Sequence, residues 1–336
     1  MKKLNQGSAI SPTELITKVH NTPPVPLIWR GIKEGSLGFI FGPSKTGKTL
    51  LAENLAYNIA ARNTSFLGTP LKSYDKKVLI VSLEEPNTIK RGDRNLKALS
   101  SFPEEELQRI DENLTFFDDY EPHIWEPSQW NHLIEDVSEV APDIVFIDSL
   151  THLYAGEIES SRFAQQLTKR LRLASDELNI TLAIIHHTPK LNGFPITIDS
   201  LAGSRILAQE AEFMIGVNRS FNNTRYLKDV AYRYQREQEK VLTFDIGEDF
   251  RLVEKDEVYE NTLIRELDGR VDHSTREQIL SFVEEKSEDS EDGLVTTSDI
   301  KGFIDKSDTQ VQEWLTKLVN EGKLTKPKRG YYTLNN

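Results

Sequence analysis

Gly42-Pro43-Ser44-Lys45-Thr46-Gly47-Lys48-Thr49 stands between a short apolar run, Leu37–Phe41, and a helix-spaced segment, Lys48–Ala61. The octapeptide fits G-x-x-x-x-G-K-[ST] in full. After a strand and at the opening of a helix, consecutive backbone N–H groups of such a loop can point at phosphate oxygens. The positive end of the helix dipole strengthens that attraction. Gly42 and Gly47 read as places where a Cβ would keep the backbone away from a phosphate. Lys48 supplies a point charge for the β- and γ-phosphates, and Thr49 a hydroxyl ligand for Mg²⁺. Pro43, Ser44, Lys45 and Thr46 belong to the same cradle, with Lys45 read as a solvent-facing lysine more than as a second phosphate contact.

Outward from the loop, strand-like and helix-like segments alternate from about residue 36 to 256. Val78–Leu83, Ile144–Ile147 and Thr181–Ile185 are apolar runs, and Leu114–Phe117 looks like a further strand. Helical patterns fall at Asn87–Leu99, Pro103–Ile110, a segment capped by Ser128 that stops before Pro142, and Ser160–Leu178. Near-continuous Val/Ile/Leu runs separated by helices predict an α/β fold with a mostly parallel sheet covered on both faces. After about 210 the intervening helices vanish, and Phe213–Val217, Tyr226–Tyr234, Lys240–Ile246 and Arg251–Glu254 predict an antiparallel edge. Residues 1–30, with Pro23, Pro24 and Pro26, are expected to be irregular. Residues 31–256 form the main domain, 257–273 a charged linker, and 274–336 a small second domain of three helical patterns and a hairpin turning at Arg329-Gly330.

A phosphate site needs an acid for the metal. In D-I-V-F-I-D-S-L (143–150) Asp148 follows four apolar residues at a strand end, where a carboxylate can reach Mg²⁺ through water across the mouth of the sheet. Ser149 follows it, so the group that orients the attacking water must come from elsewhere. V-S-L-E-E-P (81–86) ends a neighbouring run, and Glu84, or else Glu85, emerges at the carboxyl end of the strand, where open α/β sheets bind ligands. I-I-H-H-T-P-K (184–190) ends another buried run. At least one of His186 and His187 is read as contacting the γ-phosphate or reporting it to the following loop, the alternative being a packed strand residue and a surface donor. The pair points to alternate faces, which disfavours a zinc site.

In this order and spacing the phosphate loop, V-S-L-E-E-P, D-I-V-F-I-D-S and I-I-H-H-T-P-K resemble RecA-like ATPases over about residues 25–256. Within them the likeness is to the plasmid hexameric replicative helicase RepA group, and more distantly to the KaiC, RadA and DnaB groups. The resemblance implies ATP and Mg²⁺ as cofactors. It makes Glu84 the catalytic glutamate, Asp148 the metal-site aspartate, and His186-His187 the switch between γ-phosphate and bound DNA. It also implies a homo-oligomeric, hexamer-type ring with a finger residue reaching each site from a neighbour. The chain departs from RepA here, carrying Glu212 where that group has its finger arginine. Arg205, Arg233 and Arg236 remain as finger candidates.

Composition bounds the partners. The chain has 336 residues, with 41 Lys/Arg against 53 Asp/Glu, a formal charge of −12. That balance disfavours coating nucleic acid by bulk charge, so any DNA contact must be a local patch. There is no cysteine, which removes thiolate metal sites and disulfides. No run of eighteen apolar residues and no apolar signal segment after Met1–Asn5 is seen, so a cytoplasmic protein without membrane contact is expected. Absence of N-K-x-D disfavours GTP. Residues 274–336 look like a winged helix, a fold in which the third helix often enters a DNA groove. Here the segment carries nine Lys/Arg against twelve Asp/Glu, net 9 − 12 = −3. Its hairpin nevertheless gathers Lys323, Lys326, Lys328 and Arg329, and Tyr331 and Tyr332 can pack beneath or stack on a base. With Lys190 on the loop after the histidines, these are the DNA-contact candidates. Trp125 and Trp130 read as core residues. The function expected is ATP hydrolysis by a DNA-acting ring, a helicase or a replication or mobile-element initiation ATPase taking single-stranded DNA through its centre. The alternative is an ATP-switched regulator or assembly scaffold that does not unwind, favoured by the weak basicity of loop 188–202.

Overall fold

The computed structural model describes residues 9–85, 87–88, 91–117, 127–153, 161–191, 193–201, 205–220, 222–264, 275–290, 293–304 and 308–335. Contacts divide the chain into two units, Met1–Glu266 and Leu267–Asn336. The first is built on a nine-stranded sheet. Its strands are β1 (Leu37–Pro43), β2 (Val78–Ser82), β3 (Leu114–Phe117), β4 (Ile144–Asp148), β5 (Thr181–Thr188), β6 (Phe213–Arg219), β7 (Arg225–Tyr232), β8 (Lys240–Ile246) and β9 (Leu252–Tyr259). Across the sheet they run β9-β8-β7-β6-β1-β5-β4-β2-β3. The six from β6 to β3 are parallel, and β7, β8 and β9 extend the sheet antiparallel. β1, β2 and β4 are buried at every position, which is why they read as unbroken apolar runs. The edge strand β9 is mostly exposed and charged, a composition that discourages pairing with another chain.

The helices of this unit are α1 (Pro12–Asn21), α2 (Lys48–Ala60), α3 (Gly92–Ser100), α4 (Glu104–Asn113), α5 (Pro127–Val140), α6 (Ser161–Leu178) and α7 (Arg205–Glu210), and those after α1 cover both faces of the sheet. On one face Leu51, Leu55 and Ile59 of α2 pack on Ile40, Ile80 and Ile185. On the other, Leu133 of α5 and Leu167 and Leu171 of α6 pack on Phe39, Val81 and Ile184. Successive residues of β1 therefore feed opposite cores, as the pleat requires. The architecture is RecA-like, a mostly parallel sheet between two helical layers.

Several expected boundaries are corrected. Residues 12–21, expected to be irregular, form α1. Ser11 Oγ accepts from the Glu14 amide at 3.2 Å and the Glu14 carboxylate accepts from the Ser11 amide at 2.7 Å, a reciprocal cap that starts a helix. The prolines only stop it, beyond Thr22. Leu27–Trp29 then pairs with Ile32–Lys33. The helix expected from Asn87 begins at Gly92. Ser128 is not a cap, because α5 already starts at Pro127. β5 continues through both histidines to Thr188, and β9 runs to Tyr259, into the expected linker. Trp130 is a core residue, whereas Trp125 lies outside the described residues.

The second unit contains α8 (Thr275–Asp289), β10 (Val295–Thr296), α9 (Thr297–Phe303), α10 (Asp308–Asn320), β11 (Leu324–Lys328) and β12 (Tyr331–Leu334). The strands pair antiparallel in the order β10-β12-β11. Ile279, Val283, Ile300, Val311, Leu315, Leu318 and Tyr332 make a core of its own. No helix among the described residues is long and apolar enough to cross a membrane.

Candidate nucleotide site

The loop between β1 and α2 is shaped by three residues of positive φ: Gly42 (153°), Lys45 (64°) and Gly47 (108°). Gly42 has a steric reason of its own to be glycine. A Cβ there would stand 1.9 Å from the Val217 carbonyl oxygen of β6, so the neighbouring strand by itself demands glycine. At Gly47 the nearest atom to such a Cβ is 3.6 Å away, and backbone conformation is the constraint. Pro43 contributes its carbonyl, which accepts from Thr46 Oγ1 at 2.9 Å and from Lys48 Nζ at 2.7 Å. Ser44 and Lys45 are exposed; Thr46 and Lys48 are buried. Burial pulls the Lys48 pKa down to about 8, against the opposing charges of Asp148 and Glu84.

Strand register carries the acids to the same edge. Ser82 is paired with Asp148, and the Asp148 carbonyl accepts from the amides of Leu83 at 2.7 Å and Glu84 at 3.2 Å. Asp148 is buried, and its Oδ2 accepts from Thr49 Oγ1 at 2.9 Å and from Arg91 Nη2 at 2.7 Å. On the other side Gly42 is paired with His187, and His187 Nε2 lies 3.1 Å from Glu84 Oε2. Ligand atoms of Glu84, Asp148 and His187 all fall within 4.8 Å of one another. Glu85 turns elsewhere, to Arg91 Nε at 3.8 Å. Of the two histidines only His187 joins this group; His186 is buried on the opposite side of β5.

These residues fit a hard cation. Asp148 Oδ1 is buried with no hydrogen-bond partner among the described residues, and the Thr49 hydroxyl is bonded to the other oxygen of the same carboxylate. Oxygen donors of this kind suit Mg²⁺.

A charged cluster behind Asp148 was not foreseen from the sequence. Arg91 also approaches Ser82 Oγ at 3.4 Å and Glu53 Oε1 at 3.5 Å, and Arg94 Nη2 holds the same Glu53 oxygen at 2.6 Å. Burial pushes Glu53 up to about 7, with Arg94 and Arg91 pulling the other way. Burial works against the Arg91 charge, yet Asp148 and Glu53 outweigh it and hold its pKa above the ordinary value. α2 is buried nearly all round, so a glutamate on it must be paired with a cation or neutralised.

Arg233 is half exposed, with Nη2 donating to the Gln209 carbonyl at 3.1 Å, and Arg236 is exposed. Arg205 opens α7, but its side chain is outside the described residues. Glu212 is a buried anchor that accepts from the Leu37 amide at 3.0 Å, Arg172 at 2.5 Å and Tyr234 at 2.5 Å. Lys190 is exposed, as are Lys323, Lys326, Lys328 and Arg329. Tyr332 is buried, whereas Tyr331 is at the surface with Lys328 Nζ 4.0 Å above its ring.

Residues 8–193 match the AAA domain family. The chain belongs to the AAA domain family. The match includes the loop 42–49, Glu84, Asp148 and both histidines, and stops before β6. Membership supports a nucleotide-hydrolysing P-loop ATPase, with the AAA domain carrying the acids grouped above. A comparison with curated proteins finds no match for the chain.

Proposed function

We propose that the chain is a Mg²⁺-dependent ATPase of the RecA type that assembles into a ring and acts on DNA. The observation that carries this reading is the bond between His187 and Glu84, 3.1 Å long, beside Lys48, Thr49 and Asp148. It joins the acid placed to orient water to the strand that leads into loop 188–201. Lys48 holds phosphate oxygens once it leaves the Pro43 carbonyl. Thr49 and Asp148 hold the metal, which when bound neutralises phosphate charge and aligns the terminal phosphates. Glu84 orients the attacking water and accepts its proton. His187, sharing the Glu84 carboxylate, feels the loss of the γ-phosphate and passes it along β5 to Lys190 and the loop. In a ring, Arg233, Arg236 or Arg205 reaches the neighbour's site; the first two are solvent-facing on the antiparallel flank. The C-terminal unit is read as a winged helix whose basic hairpin, Lys323 to Arg329, touches a DNA backbone while Tyr332 packs beneath it. These assignments favour a helicase or a replication or mobile-element initiation ATPase.

The test is phosphate release with and without single-stranded oligonucleotide at low salt. Several-fold stimulation is expected, and Glu84→Gln is expected to keep ATP binding while turnover falls by about 10²-fold. ATP binding without any DNA response sinks the motor reading and favours the ATP-switched regulator. Full activity of Glu84→Gln, with Glu85→Gln inactive, moves the water-orienting role by one residue.

A further inference from the structure

Arg219 ends β6 and Arg225 opens β7, and the two are direct partners in the antiparallel ladder. Direct partners share a face of the sheet, so two guanidinium groups are set side by side. Both residues are half-buried, and each Nε is enclosed without a hydrogen-bond partner among the described residues. Neither makes an ion pair among those residues. Asp245, the acid that acts on Arg225, is bonded instead to Lys255 at 2.5 Å. Burial first, and the Arg219 charge second, work against the protonated form of Arg225. Two like charges, partly desolvated and without an ion-pair partner among the described residues, work against each other unless an anion meets them.

Their position says which anion. The Arg225 Cδ is 3.8 Å from where a Cβ on Gly47 would stand, at the first turn of α2. β6 lies directly beside β1, with Gly216 opposite Phe41, so Arg219 emerges at the same carboxyl edge as the phosphate loop. Glu84 follows β2 and Asp148 ends β4, on the opposite flank of β1 beyond β5. On the nucleotide-site reading the end that is hydrolysed would face those acids, which leaves the arginine pair on the side of the other end.

We propose that Arg219 and Arg225 form a second anion subsite, which grips the ribose-side phosphate oxygens of the nucleotide held by its own phosphate loop. The proposal rests on the nucleotide-site reading above and extends it to residues that the AAA domain match does not reach. The two guanidinium forks offer the planar, multi-donor geometry that suits phosphate. Because the pair stands against the chain's own Gly47, it serves that site in cis and is not a finger for a neighbour.

The experiment is calorimetric titration of the full chain with ADP and Mg²⁺, with melting curves of the nucleotide-free protein alongside. Arg219→Gln and Arg225→Gln are each expected to weaken ADP by about tenfold, the scale of one charge-assisted hydrogen bond. The free proteins should melt at or above the wild-type temperature, since a repulsion has been removed, and Arg225→Lys should recover part of the affinity. Wild-type affinity in the double Gln variant overturns the subsite while leaving the nucleotide site intact. Failure of the wild-type chain to bind ADP overturns both. A lowered melting temperature with no recovery by lysine makes the pair structural and also overturns the subsite.

Discussion

Lys48 carries its charge where the protein resists it. The ammonium is buried, tied to a carbonyl, and its pKa falls to about 8 because burial outweighs the attraction of Asp148 and Glu84. Below pH 8 the lysine is protonated in both folded and unfolded chains, so the cost of burying the charge is fully present. Between pH 8 and the ordinary lysine value the unfolded chain keeps a proton that the folded one releases, and stability gained this way rises with pH. Lys48→Met should therefore melt above wild type at pH 7 in the absence of nucleotide, with the difference shrinking as pH rises above 8. Melting curves of the two free proteins across pH 7 to 10 check this; a constant difference contradicts it. Lys48, Thr49 and Asp148 were legible because each sits at a fixed place in a strand-loop-helix pattern. Arg91, Arg94 and Glu53 were not, since their pairing depends on side chains meeting from β4, α2 and α3, a coincidence that no local spacing records.

Elements are held by a few buried polar ties as well as by apolar packing. Arg30 follows Leu27–Trp29 and reaches Asp229 on β7 at 2.6 Å, with both side chains fully enclosed; Asp229 also accepts from Tyr232 at 2.7 Å. Arg30→Ala leaves an uncompensated buried carboxylate, and such losses cost about 3–5 kcal/mol. Denaturant titration should show an unfolding free energy lowered on that scale, read from the midpoint and slope; a change within experimental scatter would mean that water reaches Asp229. The strands of the sheet interior were legible, because burial on both faces writes itself as a continuous apolar run. The end of β5 was not. His186 and His187 close the apolar pattern, yet backbone pairing with β1 continues to Thr188, and pairing leaves no mark in side-chain hydropathy. α1 was hidden for the opposite reason. None of its residues is buried, so it lacks a packed stripe, and its starting signal is only the Ser11–Glu14 exchange.

At the scale of the chain, two cores divide the work. Unit 1–266 encloses the phosphate loop and every acid grouped around it, while unit 267–336 closes its own core around Tyr332. A fragment ending at Glu266 should fold cooperatively and retain ATP hydrolysis within a few-fold of the full chain. Circular dichroism melting and phosphate release on the purified fragment check this, and a fragment that does not fold shows that the first core is incomplete. The position of the second unit was legible from a change of pattern, since short helices with a terminal hairpin need only local contacts. Its purpose was not, because charge along it is mixed: acids dominate the helices and the basic residues collect in one turn.

The Pro43 carbonyl gives the phosphate loop a stand-in for its guest. In the free protein it already engages the Lys48 ammonium and the Thr46 hydroxyl, so arriving phosphate oxygens exchange partners with it and do not meet idle donors. Net affinity is then the difference between two satisfied arrangements. Binding a phosphate there costs the contact between Lys48 and the Pro43 carbonyl, which offsets part of what the new contact contributes.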